Sequence, residues 1–189
     1  VLRPRLLGAL GLTALGFGGI FTTLTFLSPL LQSEAGFSAT QVNALLLLFG
    51  LGLTVGNVLG GWAADRWPVR SMFAILGVLA ALEVMLHLVL GLPVLVTAGV
   101  FLWGMAAFAT APGLQSRVLD ESADAPALGS TLNIAAFNLG NAGAAWIGAR
   151  AIDAGMPLSG LPLVSAALTG AAIVLLLAMS VRVAKPRLA

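Results

Sequence analysis

Long apolar runs alternate with short polar breaks along the whole chain, with no sign of the period-two alternation of half-buried strands. The runs cover roughly residues 6–31, 41–63, 71–91, 94–116, 127–149 and 160–181. Each reaches or exceeds the roughly 20 apolar residues that a helix needs to cross the hydrocarbon core of a bilayer. Between them lie "SPLLQSEAGFSATQ", "DRWPVR", "LGLP", "RVLDESADAP" and "RAIDAGMPLSG", rich in the Pro, Gly, Ser and Asp that break helices and form turns. The pattern predicts an all-α membrane protein with six transmembrane helices in one six-helix unit over residues 1–189.

Composition agrees with the pattern. Of 189 residues, 59% are hydrophobic and 8% are charged. Nine basic and seven acidic side chains are too few to clothe a soluble domain of this size, so lipid is the expected covering. There is no cysteine and only one histidine, His87, which removes disulfides, thiolate ligands and His-rich metal sites; no metal or cofactor is expected. A net charge of +2 would hint at nucleic acid in a soluble protein. Here the basic residues sit at helix ends, where membrane topology accounts for them, and no nucleic-acid partner is expected. The chain starts at Val1, with Arg3 and Arg5 ahead of an apolar run too long for a signal peptide, and reads as a fragment.

Cytoplasmic loops are enriched in Lys and Arg. With the N-terminus inside, Arg3, Arg5, Arg66, Arg70, Arg117, Arg182, Lys185 and Arg187 fall on the cytoplasmic side, and only Arg150 falls outside. Both ends of the chain are then cytoplasmic. Three spans reverse a unit's direction across the membrane, so the six helices divide into two three-helix inverted repeats. "GWAAD" at the end of the second helix and "GARAIDAG" at the end of the fifth are a faint echo of such a duplication.

"GWAADRWPVR", residues 61–70, concentrates charge in an otherwise apolar chain. Gly61, Asp65, Arg66 and Arg70 resemble the loop signature G-x-x-x-D-R-x-G-R-R of the major facilitator superfamily, which lies between the second and third helices of a six-helix half. Pro68 stands in place of the second Gly and Val69 in place of a basic residue. "LLLLFGLGLTVGNVLGG" and "STLNIAAFNLGNAGAAWIGARAIDAG" are similar to the second and fifth helices of the C-terminal half in drug and sugar (arabinose-type) efflux members. The resemblance covers essentially the whole chain and implies the C-terminal half of a twelve-helix transporter in a bacterial inner membrane. It also implies that Asp65 engages a helix of the missing N-terminal half, so that Gly61, Asp65, Arg66 and Arg70 act as a gating motif. By its own chemistry, Asp65 at the membrane boundary can accept from a helix N-terminus or from Arg70, and Gly61, one turn earlier, can admit a close neighbour. The competing account is a positive-inside turn whose Asp caps the next helix.

Other residues carry readings of their own. Gly52, Gly56 and Gly60, and again Gly140, Ala144 and Gly148, recur every four residues, the spacing that lets helix backbones meet. Thr22, Thr23 and Thr25 in the first helix and Asn133, Asn138 and Asn141 in the fifth are uncharged polar groups at membrane depth. They line a substrate cavity or join helices by hydrogen bonds. Phe26, Trp103 and Thr110 are further cavity candidates, on helices that line the cavity in the resembled family. Glu83 and His87, four apart on the third helix, share a face; an ionisable pair at that depth is a candidate proton relay, with Glu83 staying protonated or bonding a neighbour as the alternative. Pro112 and Gly113 predict a kink or local unwinding of the fourth helix.

The reading that joins these features is a secondary active transporter, not an enzyme. The resemblance implies that it exports a small organic molecule such as a drug or sugar, in exchange for protons, by rocking of this half against the missing one. A six-helix channel lacks Asn-Pro-Ala half-helix motifs and a ring of charge. An intramembrane hydrolase lacks a Gly-x-Ser-Gly nucleophile to partner His87. A non-catalytic membrane scaffold is the remaining alternative.

Overall fold

The computed structural model describes residues 3–184, with side chains to residue 181; the side chain of Arg182 and all of Lys185 and Arg187 lie outside the described residues. Among the described residues the fold is all-helical. The elements are α1 (Pro4–Gly16), a 3-10 turn (Gly18–Ile20), α2 (Phe21–Leu24), α3 (Leu27–Ser33), α4 (Ala39–Arg66), α5 (Pro68–Leu88), α6 (Pro93–Glu121), α7 (Pro126–Asp153), a second 3-10 turn (Leu158–Gly160) and α8 (Leu161–Ala184).

Local sequence explains where the helices start. Pro stands at the beginning of α1, α5, α6 and α7, where its missing N–H is one that a helix start leaves unpaired. Helix α4 opens instead on a reciprocal cap: Ser38 Oγ accepts from the Gln41 N–H, and Gln41 Oε1 accepts from the Ser38 N–H. Only Trp67 separates α4 from α5. Gly36 and Gly155 carry positive φ (71° and 91°) in the turns ahead of α4 and after α7, a conformation other residues rarely hold.

The first apolar run is not one helix. It is interrupted between Gly16 and Phe21 and again at Phe26, whose φ of −109° and ψ of 14° leave the helical region. Both breaks have a chemical cause. Gly18 and Gly19 press against Gly140 and Leu168, where a side chain would not fit. Pro29 has no N–H to offer the carbonyl of Thr25. The fourth helix behaves in the opposite way: Pro112 lies inside α6, and the helix continues unbroken from Pro93 to Glu121, so the unwinding expected there is absent.

Five helical stretches are long and apolar enough to cross a membrane: Pro4–Leu24, Ala39–Arg66, Pro68–Leu88, Pro93–Glu121 and Leu158–Val181. Helix α7 is equally long at 28 residues, but Asn, Ser, Thr and Gly dilute its apolar content, and it is not one of the five.

Two close seams organise the bundle. On α4, Gly52, Gly56 and Gly60 lie directly against the backbone of Phe101, Met105 and Ala109 on α6, and Gly104 of α6 returns the contact at the Phe49 carbonyl. Gly140 and Gly148 on α7 meet the backbone of Ala14 and Thr22, with Gly18 against Gly140 between them. Helix α5 packs along α8. The main core gathers Leu12, Phe17, Leu76, Leu79, Trp103 and Leu176 among others, and a smaller cluster of Leu6, Ala9 and Val118 closes the end at which α1 begins.

Candidate functional site

The loop signature stands at the end of the bundle shared by the start of α1, the α4–α5 junction and the α6–α7 turn. Asp65, Arg66 and Arg70 are exposed, and no hydrogen bond or ion pair joins Asp65 to another described residue. The Arg66 guanidinium lies 5.9 Å from the centre of the Trp67 ring, and Trp67 makes an edge contact with Trp62. Gly61 faces Pro112 loosely: a Cβ there would lie 4.0 Å from the proline ring. The close approach at this turn of α4 belongs to its neighbour Gly60. Asp65 forms one wall of a cleft of about 420 Å³ whose opposite wall is the end of α6, with Arg117, Asp120 and Glu121. Nearby, Arg3 forms an ion pair with Asp124 at 2.8 Å, both side chains more than 60% exposed. Such a pair is worth about 0–1 kcal/mol and holds the start of α1 near the α6–α7 turn only weakly.

One buried polar network crosses three helices. Thr13 Oγ1 of α1 is 2.8 Å from Asn133 Oδ1 of α7, and Asn133 Nδ2 donates to Gln115 Oε1 of α6 at 2.6 Å. Gln115 Nε2 continues to Ser130 Oγ at 3.2 Å. Thr13 and Asn133 have no exposed surface. Asn133 therefore serves as an interhelical clasp, worth most because any partner left alone in that interior would cost about 1–3 kcal/mol. Thr13 and Gln115 were not singled out in the sequence, although a Gln within a run otherwise free of amides is a visible signal.

Two of the remaining cavity candidates also join helices. Thr22 Oγ1 donates to the Ala144 carbonyl at 3.2 Å, and Thr23 Oγ1 pairs with Ser165 Oγ at 2.7 Å. Thr110 bonds its own helix at Ala107, and Thr25 does the same at Phe21. Thr22, Thr23, Trp103 and Thr110 are buried, whereas Phe26 and Asn141 are partly exposed and Asn138 is exposed. The Asn141 amide oxygen is itself covered and has no hydrogen-bond partner. An aromatic cluster lies on the same side of α7: Phe17 meets Phe137 at 4.7 Å and Phe108 at 5.0 Å, both edge-on, and Phe21 at 5.9 Å. It draws one ring from each of α6 and α7 and two from around the break in the first helix. Sequence reading passed over it because four Phe scattered over 120 residues show no spacing.

Glu83, in the last third of α5, is 1% exposed. Thr169 of α8 donates to its Oε2 at 2.9 Å. The Trp103 indole of α6 neighbours the same carboxyl, yet Glu83 Oε1 and Trp103 Nε1 are both buried without a hydrogen bond of ordinary geometry. His87, one turn further on, turns away: its Nδ1 lies 2.6 Å from the Ser159 carbonyl in the turn before α8. The two candidates of the relay share a helix face but make separate contacts.

These features have relatives. The chain is 40% identical to the inner membrane transport protein YdhP of Escherichia coli over 182 residues, 96% of this chain and 46% of that protein. It is 34% identical to the MFS-type transporter YtbD of Bacillus subtilis, over 81% of this chain and 40% of that one. The chain belongs to the major facilitator superfamily. A chloramphenicol resistance protein of Streptomyces lividans is 34% identical over 74% of the chain, and a probable sugar efflux transporter of Mannheimia succiniciproducens 28% over 77%. The chain spans about half the length of the curated relatives it matches. No family model matches it.

Proposed function

We propose that this chain is the C-terminal six-helix half of a secondary active transporter that exports a small organic molecule, a drug or a sugar, in exchange for protons. The observation that carries the reading is the pairing of helices. Count the broken first stretch (α1 to α3) as helix one and α4 to α8 as helices two to six. The glycine ladder of helix two lies on helix four, the small-residue ladder of helix five lies on helix one, and helix three packs along helix six. Exchanging one with four, two with five and three with six maps this set of pairs onto itself. That is the internal relation expected of two three-helix inverted repeats, and it supports counting α7 as a sixth span. A unit built this way binds substrate against a second, similar unit near the membrane midplane and works by alternating access. The length of the relatives supports a second unit as the partner. The printed functions of the chloramphenicol resistance and sugar efflux relatives favour export and the substrate class.

In this reading Gly61, Asp65, Arg66 and Arg70 bias a gate on the cytoplasmic side of a bacterial inner membrane. The described basic residues support that orientation: Arg3, Arg5, Arg66, Arg70 and Arg117 gather at one end of the bundle and Arg150 at the other. Both ends of the chain then face the cytoplasm. The aromatic cluster around Phe17, the partly exposed Phe26 and Asn141 and the exposed Asn138 supply this half's share of the cavity wall, an apolar surface with few oriented polar groups.

The test is accumulation of labelled antibiotics and sugars in cells with and without the full-length protein, before and after collapse of the proton gradient. Reduced accumulation of at least one compound that recovers on collapse is expected. Equal accumulation of every compound in both strains would overturn the export reading.

A further inference from the structure

We propose that the groove between α4 and α5 seats an acyl chain of an anionic phospholipid, with Arg66 and Arg70 holding the lipid phosphate at its mouth. The proposal rests on the placement of these helices in a membrane and is independent of the compound exported. Helix α4 is pressed onto α6, and α5 packs along α8. Between α4 and α5 there remains a groove of about 190 Å³, lined by Leu59 of α4, by Ala74 and Val78 of α5, and by Met105, Ala106 and Ala109 of α6 among other apolar side chains. Leu59 and Val78 are half exposed at its rims, whereas Ala106 and Ala109 are buried at its floor. Alanine at these positions and at 74 leaves the slot that larger side chains would fill. No residue of α1 or α7 lines it, so it is separate from the aromatic wall around Phe17.

The groove leads to two cations. Trp62 and Arg66 follow Leu59 by three and seven positions, and Arg70 precedes Ala74 by four, so each shares a helix face with a lining residue. Along the helix axes Arg70 stands about 6 Å and Arg66 about 10 Å from that residue, within reach of a headgroup whose chain lies in the slot. Both arginines are exposed, and neither is in an ion pair among the described residues. The neighbouring acid, Asp65, lines the separate cleft that holds Arg117. Two guanidinium groups without a carboxylate suit phosphate oxygens, which accept from the planar fork of N–H donors. Basic pockets between membrane helices recognise anionic headgroups in this way. Trp62 and Trp67, 62% and 45% exposed, are residues that favour the headgroup level of a bilayer. An apolar slot below and two cations above match an anionic lipid; a cationic solute would be repelled at the mouth, and a sugar would find no hydrogen-bonding side chain along the lining. The bound lipid would bridge the last turn of α4 and the first turn of α5 across Trp67, bracing the junction that carries Asp65.

The experiment offers the purified full-length protein, in detergent, an equimolar mixture of phosphatidylglycerol and phosphatidylcholine with identical chains, and reads the retained lipid by native mass spectrometry. Bound phosphatidylglycerol should exceed phosphatidylcholine by about tenfold. The excess should vanish in the double variant Arg66→Gln, Arg70→Gln and fall severalfold in Ala74→Phe, which fills the groove. It should persist in Arg5→Gln, which removes another exposed cation at the same end of the bundle. Equal retention of the two lipids, an excess that survives the double variant, or one that Arg5→Gln abolishes as well would overturn the proposal. An excess untouched by Ala74→Phe, or displaced by free glycerol phosphate, would mean a surface anion site without a seated chain and would overturn it too. Should a variant not survive purification, the melting temperature of the unmutated protein titrated with each lipid decides: a rise with phosphatidylglycerol alone supports the proposal, and an equal response to both overturns it. Because no transported compound enters the readout, failure to find one would defeat the export reading without touching this one.

Discussion

The two seams of the bundle use the same small residues every four positions and build different joints. Between α4 and α6, two unbroken helices press backbone on backbone through Gly52, Gly56, Gly60 and Gly104, and no side-chain hydrogen bond crosses among the described residues. Between the first stretch and α7, Gly18, Gly140 and Gly148 make the same approach. There, however, Thr22 bonds the Ala144 carbonyl and Thr13 bonds Asn133, and the first stretch is interrupted between Gly16 and Phe21. Contact made only of backbone tolerates no added atom, and continuous helices cannot yield locally. A seam beside a break can shift a turn without unfolding the rest, while its polar clasps fix where it returns. In the proposed transporter the α4–α6 seam would then serve as the rigid spine, and the α1–α7 seam as the place where the unit adjusts.

The largest effect should follow from Gly56→Ala. Its new methyl would collide with the Met105 carbonyl, and relief requires two whole helices to separate. A cost of about 3 kcal/mol or more is expected, read as a large fall in melting temperature or in yield of the full-length protein in detergent. Asn133→Leu ranks second. The substitution leaves Gln115 Oε1 and one contact of Thr13 without a partner, and about 2 kcal/mol is expected. A double-mutant cycle with Gln115→Ala should return a coupling of about 1 kcal/mol; additive effects would mean that the clasp is not a unit. Gly140→Ala should come third at about 1–1.5 kcal/mol, although its Cβ also meets backbone, at Ala14. The interruption at Gly18 lets that backbone move aside. Equal losses at Gly56 and Gly140 would break the distinction between a rigid and a compliant seam.

Much of this was legible in the residues. The apolar runs, with their Pro and Gly separators, foretell the all-helical fold and its five long apolar stretches, because helix length and lipid compatibility are properties of a single segment; the division of the first run into α1 to α3 they do not foretell. The four-residue ladders foretell close packing for the same reason, since spacing alone sets a helix face. What the segments could not disclose is which neighbour each face meets. Asn133, Thr22 and Thr23 looked as suited to a cavity as to a clasp, and only the fold supplies Thr13, Gln115, Ala144 and Ser165 opposite them. Likewise the unwinding expected at Pro112 is absent, whereas Gly18 and Gly19 looked like part of a span and are the break. A single Pro costs one hydrogen bond that a long, well-packed helix can forgo. Two glycines pressed against α7 and α8 meet a tertiary constraint that no local pattern contains.

The smallest effect on stability, and the one most specific to function, belongs to Asp65→Asn at the end of the spine. Asp65 is exposed and bonds no other described residue, so removing its charge should change stability by no more than about 0.5 kcal/mol. If the carboxylate is the half of a latch whose other half lies on the second unit, the loss appears elsewhere. The state in which the cytoplasmic gate is closed loses a charge-assisted contact worth about 1.5–3 kcal/mol, a tenfold or larger shift in the balance of the two gate positions. Export should slow while expression and melting temperature hold. Cysteine accessibility beside Val69, in the cleft between Asp65 and the end of α6, should rise as the gate spends more time open. An unchanged export rate with unchanged accessibility would reduce the signature to an ordinary polar turn, and would move control of the gate from the rigid seam to the compliant one.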